Sequence, residues 1–427
     1  MPDYLLSRIT LSDPQHPMNG QRVDVRIEAG RIADIQPAGT IPLTDKYQII
    51  TGDTLHVSPG WVDMHTVLQD PGGEHKETLA ELAHAAVSGG FTDLVCHPHT
   101  HPAADNGQLI HAFRHRAADL PVRMWFCGTL SAGDTGKEMA ELYDMHQAGA
   151  VGFTDDVHPV QSSGLLIRSL QYLASFDGLF FHVPYDASVV QDGQMNDGPQ
   201  ATLLGMKGIP ELSESLALAR MQEILQYTPG RVHLQPVSSP AALKHIRTLK
   251  AAFPQVTTGI QVAHLVLTDA ALIDFDTHLK VFPPLRSPEQ REQLREALAA
   301  GLLDVICTGH TAQGLEEKEV EFGLAAPGML GLQTFFPLIV THLIQPGIIT
   351  LDQFVRMVAI RPREILRQPA VTLEPGSVAH LTLFDPDASS VLSAHQIPSR
   401  ARNSPWINQP LTGKIHGVFC QGVFRQG

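Results

Sequence analysis

Eight short apolar runs recur through the middle of the chain, with amphipathic stretches between them. The runs are HVSPGWVDMHT (56–66), FTDLVCHPH (91–99), VRMWFCGTL (122–130), AVGFTDDVH (150–158), GLFFHVPYD (178–186), RVHLQPVSS (231–239), TTGIQVAHL (257–265) and LDVICTGHT (303–311). Segments such as ETLAELAHAAVSGG, PELSESLALARMQEILQYT and PEQREQLREALAAG separate them. Their apolar residues fall at i, i+3 and i+4, one face of a helix, and Gly or Pro closes most of them. Strands alternating with helices imply a parallel sheet covered by helices. Eight such units over about 320 residues predict a (β/α)8 TIM barrel with insertions. A doubly wound open sheet would carry a Gly-rich phosphate loop after its first strand, and none is present.

The flanks follow a period of two. In RVDVRIEAGRIADIQPA, Val23, Val25 and Ile27 share one face, and AGR supplies a turn. Near the other end, GSVAHLTLFDP and GKIHGVFCQGVF read as short strands punctuated by Gly. Each flank is too small to fold alone. They are therefore expected to meet as one small β-sandwich, formed by residues 1–55 and 369–427, around a barrel spanning 56–368.

Composition removes several function classes. A formal net charge of −14 and the lack of clustered Lys and Arg argue against a nucleic-acid or anionic-membrane partner. The stretch MPDYLLSRITLSD has no basic segment followed by an apolar one, so it does not read as a signal peptide. Apolar stretches such as GLQTFFPLIVTHLI are interrupted by polar residues and too short to span a bilayer. Cys96, Cys127, Cys307 and Cys420 are scattered, as expected of reduced thiols in a cytoplasmic protein.

Barrels of this kind do their chemistry at the C-terminal ends of the strands. Those ends carry His65, His97, Asp155, His182, Pro236, His264 and His310 here. Two histidines separated by one residue on a strand point the same way and can bind one metal, which lowers the pKa of bound water to about 7. The first strand presents His65 in PGWVDMHTVLQDPG, but the residue two further on is Val67. In CHPHTHP, His97, His99 and His101 alternate, although Pro98 and Pro102 suggest a turn rather than a strand. His158 and His310 could join a substitute metal site there, whereas His233 and His264 are expected to pack inside the barrel. Ser238, Ser239 and Cys307 lie near strand ends, but nothing in the sequence sets a base beside them.

PGWVDMHTVLQDPG after an N-terminal β-module, GFTDD at the fourth strand and a His ending the fifth together resemble the amidohydrolase superfamily, and within it the long-chain bacterial dihydroorotases. HKETLAELAHAAVSGGFTDLVC, GMKGIPELSESLALAR, FPPLRSPEQREQL, GLEEKEVEF with PGMLGLQT, and NSPW extend the resemblance over nearly the whole chain. The resemblance implies zinc-dependent hydrolysis of a cyclic amide in pyrimidine biosynthesis. The ligand set it implies falls on His65, Asp155 and His182, where it is kept. It also falls on Val67, Pro236 and Gly309, where it is lost. The residue missing at Gly309 is also the family's proton-shuttling aspartate, so no catalytic residue is assigned. The substrate-binding positions it implies fall on Gln69, His99, Phe282 and Gln313, and none keeps the family's residue.

These losses lead to the expectation of a degenerate homologue, with zinc absent or partial. The implied role is that of a non-catalytic structural partner of aspartate transcarbamoylase and a homo-oligomer. The alternative is a cyclic amidohydrolase with a rebuilt, mononuclear zinc site.

Overall fold

The computed structural model describes residues 2–427. Each of the eight runs contributes a barrel strand: β1 Trp61–Leu68, β2 Phe91–Pro98, β3 Arg123–Gly128, β4 Gly152–Phe153, β5 Leu179–His182, β6 Arg231–Leu234, β7 Val256–Gln261 and β8 Val305–Cys307. Neighbours pair in parallel in chain order. A bridge from Thr66 to His310 draws β8 back to β1, with Val67 N donating to His310 O at 2.9 Å. Val62, Met64, Val95, Cys127, Leu179, Phe181, Val305 and Cys307 fill the interior, and Ile365 and Leu366 plug its base. Helices such as Leu79–Ser88 and Pro288–Ala299 cover the outside. Both start on capping boxes, Thr78 with Glu81 and Ser287 with Gln290, which satisfy the first free N–H groups. No helix among the described residues is long and apolar enough to cross a membrane.

The flanks combine into one eight-stranded sheet. Tyr4–Leu11 pairs with Gln48–Thr51 over its first half and with His56–Pro59 over its end. A register shift between Leu6 and Ile9, with Arg8 at φ 56°, bends it between the two partners. The run HVSPGWVDMHT is thus shared. His56–Pro59 pairs with Leu381–Phe384 of the C-terminal segment, and Val57 enters the terminal core. The barrel strand begins only at Trp61, past the boundary expected at 56. The chain crosses between modules at Gly60, where a Cβ would stand 2.3 Å from Thr92 Oγ1.

Trp61 fastens the joint, with its ring centroid 5.1–6.2 Å from those of Phe91, Phe336, Phe354 and Phe384. Beside it lies a buried carboxylate, Asp93, at the N-terminal end of β2. It receives Arg123 at 2.5 Å, Arg363 at 2.5 Å and His380 at 2.7 Å. Strand, closing helix and C-terminal segment therefore share one charge.

Candidate functional site at the barrel mouth

Strand phase decides what reaches the mouth. On β1, Val62 and Met64 face the interior core, yet His65 and Val67 both line the mouth. The register shift between Asp63 and Thr66 makes this change of phase. On β2 the alternation that turns Val95 inward carries His97 inward above it. His97 lies against His65, ring centroids 4.5 Å apart, and Phe181 at 5.0 Å.

The carboxylate that meets these rings is Asp156, not the expected Asp155. His65 Nε2 donates to Asp156 Oδ1 at 2.9 Å, and His97 Nδ1 lies 3.6 Å from the same oxygen. Asp155 turns the other way, accepting from Leu130 N, Ser131 N and the Ser131 hydroxyl at 2.7, 2.9 and 2.5 Å. Strand β4 ends at Phe153, and Asp156 adopts φ 29°, so the two adjacent carboxylates diverge. Burial outweighs those donors and pushes Asp155 up to about 6.

His182 is also displaced from its expected role. Leu179 and Phe181 belong to the barrel interior and Val183 lines the mouth, while Phe180 packs in the layer under the helices. His182 shares the Phe180 face, with ring centroids 5.3 Å apart. Both its nitrogens lack hydrogen-bond partners. Burial first, and then the charge of Arg220, lower its pKa to about 3. Of the three implied metal ligands, only His65 stands in the mouth.

The lost positions are filled. Gly309 has φ 64°, and a Cβ there would lie 2.6 Å from Gln261 Cδ. The Gln261 carboxamide takes the space of the missing aspartate and lies 3.1 Å from His65 Nδ1. Below it, Gln235 donates to Met64 O at 2.8 Å and accepts from His233 at 2.8 Å. Val67 and Pro236 add apolar wall, and Phe282, edge-on to Tyr185 at 5.0 Å, crosses the rim. The remaining cavity is about 60 Å³.

The other substrate-binding positions leave the mouth altogether. Gln69 and His99 line a separate rim cleft of about 860 Å³ with His75, Lys76, His101 and His158. Gln69 is tied to Ala312 O at 2.7 Å, and Gln313 to Pro327 O and Lys76 at 2.9 Å each. His97, His99 and His101 do not converge, because the first faces inward and the others line this cleft. His158 pairs with Asp134 at 2.7 Å. His310 donates to Glu77 at 3.0 Å, and Gly331 N and Leu332 N approach its Nδ1 at 3.2 and 3.4 Å. His264 is buried and meets Pro283 O. None of the nucleophile candidates Ser238, Ser239 and Cys307 lines the mouth. Burial raises the Cys307 thiol far above its ordinary value, and Ser238 bonds Glu214, which faces Arg286.

Electrostatics concentrates at one pair. Burial opposes the charge on His65, but the Asp156 carboxylate prevails and holds its pKa above the ordinary value. Burial likewise opposes Asp156, while His65 and then His97 keep it well below the usual carboxylate range. Burial first, and then the neighbouring His65, lower the pKa of His97. Asp156 and Gln261 were invisible to sequence reasoning. The DD pair gave the right neighbourhood for the first, and nothing marks a glutamine as the filler of a gap at Gly309.

Solved structures share this architecture. An L-hydantoinase (dihydropyrimidinase) from Arthrobacter aurescens superimposes with TM-score 0.86 over 99% of this chain and 96% of its own, at 23% identity. A D-hydantoinase from Bacillus sp. AR9 gives 0.80 at 18% identity over 99% of this chain and 95% of its own. At that identity these matches speak for the fold alone. The Dihydro-orotase-like family model matches residues 54–238. The dihydroorotase of Pelotomaculum thermopropionicum is 38% identical over 390 residues, 91% of each chain. That of Syntrophotalea carbinolica is 38% identical over 419 residues, 98% of this chain and 97% of its own. With that identity running through barrel and flanking sheet alike, the chain belongs to the dihydroorotase family.

Proposed function

We propose that this chain is a non-catalytic dihydroorotase homologue that serves aspartate transcarbamoylase as a structural partner, working as a cytoplasmic homo-oligomer. The observation that carries this reading is the closed mouth. Ligand pockets usually enclose about 300–1,000 Å³, and the cavity over His65 and Asp156 is about 60 Å³. A cyclic amide with a carboxylate has no room there, nor an Arg to meet its charge. The metal-ligand set that the resemblance implies does not fit these residues either, since Val67, Pro236 and Gly309 offer no donor and His182 and Asp155 face elsewhere. The scaffold is intact, which suits a protein kept for its surface.

A direct assay of the purified, zinc-supplemented protein is expected to show no interconversion of carbamoyl-aspartate and dihydroorotate above the uncatalysed rate. Co-expression with the host's aspartate transcarbamoylase is expected to give one co-eluting assembly. Turnover would overturn the first half of the proposal, and separate elution with unchanged transcarbamoylase assembly the second.

A second reading, a cyclic amidohydrolase working with one metal, draws on the cluster of His65, His97 and Asp156. The size of the mouth weighs against it. Zinc-dependent hydrolysis of dihydrouracil or hydantoin would favour it.

A further inference from the structure

We infer that a cavity at the end of the barrel opposite the mouth binds an organic phosphate monoester carrying a flat ring, the chemistry of a nucleoside monophosphate. The cavity measures about 600 Å³, within the range usual for small-ligand pockets. Three stretches far apart in the sequence build it: the end of the helix Gly107–Ala117 with the connection after it, the start of β3, and the C-terminal hairpin at 420–425. It therefore lies on the seam between barrel and flanking sheet. The inference is independent of the closed mouth and stands whether or not the chain is catalytic.

The case starts from charge. Each stretch contributes one guanidinium, Arg114, Arg123 and Arg425, in a chain whose net charge is −14. The lining holds one carboxylate, Asp119, so three positive charges less one negative leave +2. Cys420 also lines the cavity, but burial raises its thiol to about 12, so it stays protonated and adds no negative charge. The larger rim cleft shows the contrast, with Lys76 set against Asp105 and Asp134. A phosphate monoester carries about −1.5 to −2 at pH 7, which balances the surplus.

The donors are free to meet it. Arg425 stands on the last strand opposite Val418, and its guanidinium has no hydrogen-bond or ion-pair partner among the described residues. Arg114 donates from Nη1 to Ala148 O at 2.8 Å and keeps its other N–H groups. Arg123 gives Nε to Asp93 at 2.5 Å, and its Nη2 meets only His380 Nε2 at 3.4 Å. Arg363 meets the same Asp93 carboxylate. The buried pair Asp93 and Arg363 cancels and leaves the charge of Arg123 to the cavity. Guanidinium forks match phosphate oxygens two at a time, and a monoester offers three such oxygens. The space exceeds what a phosphate fills. Trp125 lines it, half-buried, with the Arg123 guanidinium carbon 5.2 Å from the centre of its ring. Leu120, Val122 and Val423 add apolar wall. A flat ring stacks on an indole whichever base it is, so the lining serves both halves of the ligand.

The test uses the full-length protein. Titration calorimetry with AMP, GMP, CMP and UMP is expected to find at least one that binds at one per chain. The matching nucleoside and inorganic phosphate are each expected to bind at least about 10-fold more weakly, as loss of charge-assisted hydrogen bonds or of stacking requires. Arg114→Gln and Arg425→Gln, each checked for native circular dichroism, are expected to weaken nucleotide binding by about 10-fold or more. Binding is expected to quench tryptophan fluorescence in the parent and not in Trp125→Phe. Lys414→Gln, in a different cavity, is expected to bind as the parent does. Failure of all four nucleotides to bind the folded parent, or inorganic phosphate binding as tightly as the best of them, would overturn the assignment. So would affinity unchanged in either arginine variant, a quench that survives in Trp125→Phe, or loss of binding in a folded Lys414→Gln.

Discussion

Asp93→Ala is expected to cost about 3–5 kcal/mol of folding stability, the usual effect of removing one member of a buried charge cluster. Its carboxylate is fully buried and accepts from Arg123, Arg363, His380 and the Thr92 hydroxyl. Arg363 is almost fully buried as well, so deleting the acid strands a guanidinium in the protein interior. Burial disfavours the Asp93 charge, but His380, Arg363 and Arg123 together hold its pKa well below the ordinary carboxylate range. The sign of the pH dependence follows. A carboxyl whose folded pKa is depressed contributes stability that is complete above its unfolded value of about 3.9. That contribution is lost as pH falls further, through the folded value. The gap between parent and variant should therefore narrow as pH falls below about 4. Urea midpoints measured across this range check it, and a gap independent of acidity would show that the cluster acts through packing rather than charge.

The barrel was legible because each strand is buried on both faces and leaves an unbroken apolar run, bounded by Gly or Pro, which chemistry at the mouth does not disturb. His65 was legible for the same reason, as the histidine near the end of such a run. What escaped was phase. In LFFHV every residue is buried, so the letters do not reveal that Phe181 and Val183 face inward while His182 faces Arg220. In FTDDV the strand stops before the acids, and a backbone turn at Asp156 decides which carboxylate returns to the mouth. Asp93 left a signal that was passed over, since a lone acid inside FTDLVC must find cations when that run is buried. Gln261 left none of its own. It became predictable only from the hole at Gly309, because a close-packed interior leaves no side-chain-sized void unfilled.

Restoring the family's aspartate with Gly309→Asp is expected to destabilise the protein by about 2–5 kcal/mol and to give no dihydroorotase activity. Two costs combine. The residue sits at φ 64°, where a side chain meets its own backbone at about 1–2 kcal/mol. Its Cβ would also stand 2.6–2.9 Å from Gln261 Cδ, Nε2 and Cγ, and overpacking of that kind costs about 1–3 kcal/mol. The second cost depends on Gln261 and the first does not. Gln261→Ala alone removes the polar partner of His65 Nδ1 and opens a small cavity, so it should destabilise modestly. Combined with Gly309→Asp, it should recover most of the steric part. The double-mutant cycle is then expected to show favourable coupling of about 1 kcal/mol or more. Additive losses would mean that Gln261 does not occupy the aspartate's place. The double variant should remain inactive, because Val67 and Pro236 still supply no ligand and Gln69 no charge for an acidic substrate. Measurable turnover of dihydroorotate by it would place the whole defect at position 309 and leave the rest of the mouth competent.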